Sequence, residues 1–571
     1  MQDSIPLERL SLYCLQPSHY PGADRNRLQN QPITRSAAPF QEFSVGSARY
    51  NAFALRALSW NTKVPLLVIS AWAALCARRP FHLGLYSDDW WTLVEPIHST
   101  TPFSLDRLRW FVGYTTNYGP RPLLGFTAFL ASSLSGSSAF GLQLLSALLV
   151  LTAALSLRSW LTRLMPSSPM YRNLAADLAV ISWMAMPWML GVTAWPTMAH
   201  SLMAQILFTE AARLLLAHEQ CTSSLMIRFA ALLVGSYLTY EAFYFEVFPL
   251  ILFYALYQLG PTKNRRDIAA LLAIASCAQA IPIAFNRYAA RLRGAPTKEF
   301  SSQWMILFVS NLRHLPETLE TSVGNQALWS TLLIGLASCG VILLLHGLGK
   351  VSHRPLCSRI LALLGLSFAT LLIATFTYAI AGYGFAPFGI DSRTLFSASW
   401  SFTIGIFALL FCIIVPGFWM LRAGLLFSVV CLITLLTFAQ HLQVDDWATV
   451  WKQERAIVAA APVEDIRRCP RDSAILYVGT FQYRHIVVFG ASWEITPAVF
   501  SRKPLSENRR PYEGLTSLFP VGGYTWAWDG TTLSMQLPGY WVLKFPAKHL
   551  YVWKLGAKTL ETAQPGYRWP L

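Results

Sequence analysis

The chain is written as long apolar runs separated by short polar connections. A membrane span needs about 20 predominantly apolar residues, and runs near that length recur from residue 64 to residue 438. The first, Val64 to Ala77, is short but extends toward Trp60 and Phe81. Further spans are expected near 139–157, 174–193, 197–216, 229–240, 243–259, 268–285, 328–348, 360–381, 399–419 and 423–438, about eleven in all. Pro122 to Leu134 is apolar but too short to cross, and Ser135-Gly136-Ser137-Ser138 breaks it, so it is expected to be an interfacial helix. Met1 to Lys63 is polar, carries Arg25, Arg27, Arg35, Arg49 and Arg56, and has no apolar core of the kind a cleavable signal requires. From Gln443 the hydropathy changes. Segments 474–478, 485–489, 540–545 and 550–553 read as short strands punctuated by Pro and Gly. The expected fold class is mainly α. Residues 1–60 form a disordered cytoplasmic tail, 61–441 a polytopic α-helical membrane domain, and 442–571 a small α+β domain on the outer face.

Composition agrees with a membrane protein. Of 571 residues, 54% are hydrophobic and 13% charged, against about 25% charged in soluble domains, and the mean hydropathy is +0.40. The net charge of +16 is spread between apolar runs and forms no basic stretch interleaved with aromatics, which argues against nucleic-acid binding. It follows the positive-inside rule instead. With the N-terminus inside, Arg158, Arg163 and Arg172, then Arg213 and Arg228, then Lys263, Arg265 and Arg266, then Lys350, Arg354 and Arg359, and lastly Arg422 fall on inner connections. Arg78-Arg79 and the basic segment Asn286–Thr321 break that pattern. The latter is either a long loop that crosses regardless of charge or an anion-binding surface. The nine cysteines show no CxxC and no paired spacing, so neither a disulfide framework nor a zinc site is indicated.

Candidate chemistry gathers at the outer turns. Asp88-Asp89-Trp90-Trp91, with Tyr86, follows the first span. A carboxylate at an interface can take a proton from a hydroxyl nucleophile. Flat aromatic faces suit sugar rings, although they also form interfacial belts. Asn117 to Leu124 places Arg121 at the opening of the interfacial helix, where a guanidinium fork matches phosphate oxygens. Glu241, beside Tyr240 and with Glu246 deeper, ends a span, and an ionisable residue there is a functional candidate. His200, beside Trp195 and Pro196, falls at another outer turn. Asp445-Asp446-Trp447 repeats the acidic-aromatic string and is expected to start a helix leading into the outer domain. There is no phosphate-cradling Gly-rich loop and no His/Glu cluster at metal-ligand spacing.

Residues 86–157 resemble the first outer loop and following helices of GT-C glycosyltransferases. These are polytopic enzymes that take sugars from polyprenyl-phosphate carriers. The resemblance lies in Asp88-Asp89, Arg121-Pro122-Leu123 and Phe140-Gly141. It is nearest to bacterial aminoarabinose- and mannosyl-transferase-like proteins and O-antigen glucosyltransferases. It departs from them in lacking Pro-Pro and an Arg soon after the Gly, where Gln143 stands nearby. The resemblance implies a sugar moved from polyprenyl monophosphate to an envelope glycan, lipid or protein such as lipopolysaccharide, with inversion. It implies a multi-pass protein of the bacterial inner membrane with its site facing the periplasm. Asp88 or Asp89 would act as base, with Glu241 at the border of the site. Arg121 and Arg393, with the Tyr383 hydroxyl, would hold the donor phosphate. Trp90, Trp91, Tyr86 and His200 would line the sugar and acceptor sites. No cofactor is required; some relatives use a divalent ion, and Mg2+ or Mn2+ would then sit at Asp88 or Asp89. A transporter or flippase for lipid-linked glycans and a non-catalytic envelope scaffold are the rival readings.

Overall fold

The computed structural model describes residues 65–562 apart from 87–88, 91–92, 94–99, 115–120, 166–168, 218–221, 258–264, 293–301, 416–418, 471–472, 480–481, 485, 488–515, 519–524 and 537–541. The tail expected over 1–60 therefore lies outside the described residues. The membrane part runs α1 (Leu66–Cys76), α2 (Pro122–Ser135), α3 (Ala139–Leu164), α4 (Pro169–Ala185), α5 (His200–Ala217), α6 (Ser223–Thr239), α7 (Val247–Tyr257), α8 (Arg265–Leu292), α9 (Trp304–Val323), α10 (Gln326–Leu348), α11 (Arg354–Ile380), α12 (Phe396–Phe411) and α13 (Trp419–Ala460). Among the described residues, six helices are long and apolar enough to cross a membrane, or up to seven if one bent pair counts as a span. The expected eleven are not reached: α6 and α7, expected to span, are apolar but shorter, and α2, not counted among the eleven, is short as well.

The bent pair is α4 with residues 187–193, kinked by 63°. The cause is the Met186-Pro187 step, since proline supplies no donor and turns the preceding residue out of helix. The carbonyls freed there are met from α13: Gln440 Nε2 donates to Met184 O at 2.6 Å and Met186 O at 3.4 Å. The core is aromatic where α3, α5 and α12 meet. Trp160 stacks on Trp400 at 4.6 Å, and Phe208 meets Trp400 edge-on at 5.3 Å.

Two expectations about the chain's course change. Asn286–Thr321 is not a long loop: α8 continues to Leu292 and α9 begins at Trp304. The boundary expected at 441/442 falls inside α13, whose 42 residues extend about 63 Å at about 1.5 Å per residue, twice the hydrocarbon core of about 30 Å. The change from apolar to amphipathic pattern at Gln443 leaves the helix unbroken, because Asp, Gln and Glu interrupt a hydrophobic run without breaking a helix. Asp445-Asp446-Trp447 is thus mid-helix and not a helix start.

Beyond α13 comes a small strand region. A mixed sheet has the order β4-β1-β8-β9. β1 (Ala474–Val478) is parallel to both β4 (Thr516–Leu518) and β8 (Leu550–Lys554), and β9 (Glu561–Thr562) is antiparallel to β8. The residues of central β1 are buried from Ala474 to Tyr477, as an apolar strand covered on both faces should be. β5 (Thr525–Trp528), β6 (Thr532–Gln536) and β7 (Val542–Pro546) form a separate antiparallel meander. Of the four strands read from the sequence, those at 474–478 and 550–553 stand at those positions. The other two survive as Ile486–Val487 and Val542–Pro546. Arg484 ties this region to α13 with a two-oxygen contact to Asp446 at 2.8 and 3.1 Å.

Candidate functional site

The segment that carries the acidic pair is pinned from three sides. Asp89 is fully buried. Its Oδ2 accepts the Tyr86 N–H at 2.8 Å, while its Oδ1 accepts the Thr197 N–H at 2.7 Å and the Thr197 hydroxyl. Gln143 spans the same two strands of chain, donating to Gly84 O at 2.6 Å and Ala194 O at 2.8 Å. The Trp195 indole donates to Tyr86 O at 3.1 Å. A carboxylate engaged in this way fixes the 195–200 turn against residue 86 and is closed to a bound hydroxyl.

The expected sugar platforms also turn inward. Tyr86 is fully buried, donates its hydroxyl to Trp447 O at 3.1 Å, and meets the Trp447 ring edge-on at 4.6 Å. Trp90 is buried and stacks on Trp451 at 6.0 Å. Both rings are buried against the C-terminal half of α13, which closes them to a sugar. Asp88 and Trp91 lie outside the described residues.

Arg121 is the residue on which α2 begins, with Pro122 in the first turn. Gly125 lets that helix lie on the backbone before it, since a Cβ there would sit 2.4 Å from Phe111 O. The Arg121 guanidinium pairs with Glu241, which opens the turn between α6 and α7, and lies 5.1 Å over the Tyr240 ring. Arg121 stands at the start of a short apolar helix. Burial opposes its charge, but the Glu241 carboxylate more than offsets this and its pKa is raised. Tyr240 in turn meets the His200 ring edge-on at 5.3 Å. His200 Nδ1 contacts the Thr197 carbonyl, which assigns its proton to Nδ1. Its Nε2 is buried with no hydrogen-bond partner.

Arg393 comes from the turn before α12. Gly389 opens that turn at φ 68° and ψ −155°, a conformation essentially confined to glycine. The kinked residues after Pro187 receive it. Gly191 N–H donates to Ser392 Oγ at 3.2 Å, and a Cβ on Gly191 would lie 2.5 Å from Ser392 Oγ and 2.8 Å from Arg393 N. The Arg393 guanidinium lies 5.3 Å over Trp195 and 6.0 Å over Tyr383. Asp391 is 3.8 Å away but 74% exposed, and among the described residues the guanidinium donates no hydrogen bond. The Arg393 carbonyl accepts the Tyr378 hydroxyl at 3.0 Å. Asn311 fixes the neighbouring loop by donating to Tyr383 O at 3.1 Å and accepting from Phe385 N–H at 3.0 Å.

The structure therefore brings Arg121, Glu241, His200, Arg393 and Tyr383 to one locus, floored by Tyr240 and Trp195. Both guanidinium charges act on His200 and on Tyr240. The sequence named Tyr240 only as the neighbour of Glu241 and did not single out Tyr378, Thr197 or Gly191. The available signals were Trp195-Pro196-Thr197 ahead of His200, and Gly389 two residues before Asp391. Among the described residues no group of three or more His, Cys, Asp or Glu side chains could hold a metal ion.

No family model matches the chain and no curated protein matches it. Among solved structures it is similar to ArnT from Cupriavidus metallidurans bound to undecaprenyl phosphate, at 11% identity and a TM-score of 0.42, over 79% of this chain and 87% of that one. The overlap is loose, and the function proposed below rests on the site's own geometry.

Proposed function

We propose that the chain is a membrane glycosyltransferase. It moves a sugar from a polyprenyl-phosphate carrier to a hydroxyl on an envelope glycan, lipid or protein at the outer face, with inversion. The observation that carries this is the convergence of two guanidiniums at the polar end of an apolar bundle. One of them, Arg393, is held over aromatic rings with its donors unused. A guanidinium fork suits a phosphate, and a leaving phosphate monoester needs charge placed where its negative charge builds. An apolar bundle at the same place suits a carrier whose tail stays in lipid.

Each residue then has a part. Arg393 receives the donor phosphate, with the Tyr383 ring beside it. Arg121 adds a second positive charge from across Tyr240. His200 offers a bare Nε2 to a sugar or acceptor hydroxyl. Asp89 holds the turn, and Asp88, its neighbour in sequence, takes the acceptor's proton. That oxygen attacks the anomeric carbon, the bond to the phosphate oxygen breaks, and the carrier leaves as polyprenyl monophosphate. Mg2+ or Mn2+ is not required by this scheme; were one used, the carboxylate of Asp88 is where it would bind.

The test is sugar transfer from a panel of labelled polyprenyl-phosphate donors in membranes containing wild type or Asp88→Asn. Transfer by wild type that Asp88→Asn loses, with donor still bound, supports the reading. A wild type that consumes no donor across the panel sinks it.

A further inference from the structure

Two helices lead from Arg393 to the far end of the bundle. α11 finishes near the site, where the Tyr378 hydroxyl reaches Arg393 O, and it begins at Arg354. Its 27 residues extend about 40 Å. α12 leaves the site at Phe396, and its helical course ends at Ile414. Both far ends meet α10 there: a Cβ on Gly347 would lie 2.5 Å from Cys357 Sγ of α11 and 2.5 Å from Val415 Cγ1, just past α12. α10, α11, α12 and α13 are all long and apolar enough to cross a membrane, so this end lies at a membrane surface.

Arginines cap the helix ends that converge at this point. Arg354 Nε donates at 3.2 Å to the carbonyl of Leu348, the last residue of α10. Arg422 of α13 donates to Val415 O from Nε at 3.1 Å and from Nη2 at 2.8 Å. Leu348 follows Gly347, and Gly347 packs on Val415, so the two guanidiniums are anchored on touching segments of chain. Lys350 follows in the connection to α11. Among the described residues neither arginine pairs with a carboxylate. The sequence supplies none: from Thr321 to Val444 the one acidic residue is Asp391, at the opposite end beside Arg393. Capping fixes each planar fork through Nε and leaves Nη donors for a further acceptor. Positive charge with no internal counter-charge at a membrane surface attracts an external anion.

We propose that Arg354 and Arg422 clamp the phosphate of an anionic phospholipid headgroup of the phosphatidylglycerol type. A guanidinium fork matches phosphate oxygens, and Lys350 adds charge beside it. The surroundings favour a lipid over a soluble anion. Val351, Trp419 and Met420, next to these residues in sequence, are largely exposed, and apolar and aromatic side chains at the end of a span suit the bilayer interface. The clamp joins the start of α11 to the start of α13. It is separate from the donor site, which lies at the other end of α11.

Lipid binding to the full chain purified in detergent tests this. Phosphatidylglycerol should raise Tm by several degrees, and phosphatidylcholine, which carries no net charge, should not. Equal shifts from the two lipids, or the same shift from inorganic phosphate, would overturn the proposal. The double variant Arg354→Gln, Arg422→Gln should bind phosphatidylglycerol about thirtyfold more weakly, since each basic residue at a lipid surface is worth roughly fivefold. Unchanged affinity would overturn the proposal as well. A phosphatidylglycerol with a photoreactive headgroup locates the site in wild type, whether or not the variant folds. Crosslinks within 346–359 and 415–422 are expected, and crosslinks confined to other segments would contradict the assignment.

Discussion

The two arginines of the site are held in opposite ways. Arg121 sits at a helix start and is paired with Glu241. Arg393 sits in a glycine-opened turn, stacked between Trp195 and Tyr383, and its nearest carboxylate, Asp391, is 3.8 Å away and mostly in solvent. An approaching phosphate must compete with Glu241 for Arg121, but at Arg393 it meets only the longer, solvent-exposed pairing with Asp391. On this account Arg393 makes the first contact, and Arg121 is drawn in as the leaving group gains charge.

The largest effect should come from Arg393. Removing one preorganised contact to a developing charge costs about 10²–10³-fold in rate. Arg393→Ala should therefore lose that much in kcat/KM for donor, with Tm near wild type, and Arg393→Lys should recover only part, for want of the fork. Equal losses in Arg121→Ala and Arg393→Ala would erase the distinction between the two.

Next comes Asp89. Breaking its bonds to Tyr86 and Thr197 should lower stability by about 1–3 kcal/mol, read as a fall in Tm for Asp89→Ala. The pH–rate profile of the surviving enzyme should keep its shape. A lost acid limb would instead make Asp89 the base.

Gly191→Ala should cost about 1–3 kcal/mol by overpacking, because the added methyl meets Ser392 and the Arg393 backbone. Donor turnover should fall by roughly tenfold while the acceptor KM holds. Unchanged turnover would mean that Arg393 does not depend on this contact.

The smallest effect belongs to Glu241. Glu241→Gln keeps the shape and frees Arg121, so the donor KM should drop a few-fold. A collapse of kcat instead would assign proton abstraction to Glu241.

Much of this site was legible in the sequence because charge is conspicuous in an apolar chain. Arg121, Glu241, His200 and Arg393 stood at polar ends of hydrophobic runs, and the fold brings those ends together. The aromatic floor was not legible. With 21 Trp, 22 Tyr and 34 Phe in the chain, Tyr240 and Trp195 stood out only as neighbours of Glu241 and His200, and their role under the guanidiniums comes from the three-dimensional pairing alone. The acidic-aromatic strings show the same limit. Asp88-Asp89-Trp90 and Asp445-Asp446-Trp447 read alike. Yet Asp89 is a buried bracket between two loops, whereas Asp445 and Asp446 lie along α13, where Asp446 holds Arg484. Burial of Tyr86 and Trp90 followed from α13 running on past the end of its apolar stretch, which periodicity alone does not reveal. The fold class was readable from hydropathy, but the number of spans was not. Helices of 11–17 residues such as α2, α6 and α7 are as apolar as true spans.

The central claim is that Arg393 is the phosphate receptor. Its most direct test is the binding of a polyprenyl monophosphate to the purified chain in nanodiscs, wild type against Arg393→Ala. The account predicts saturable binding that weakens at least tenfold in the variant. Binding of equal strength in both would contradict it.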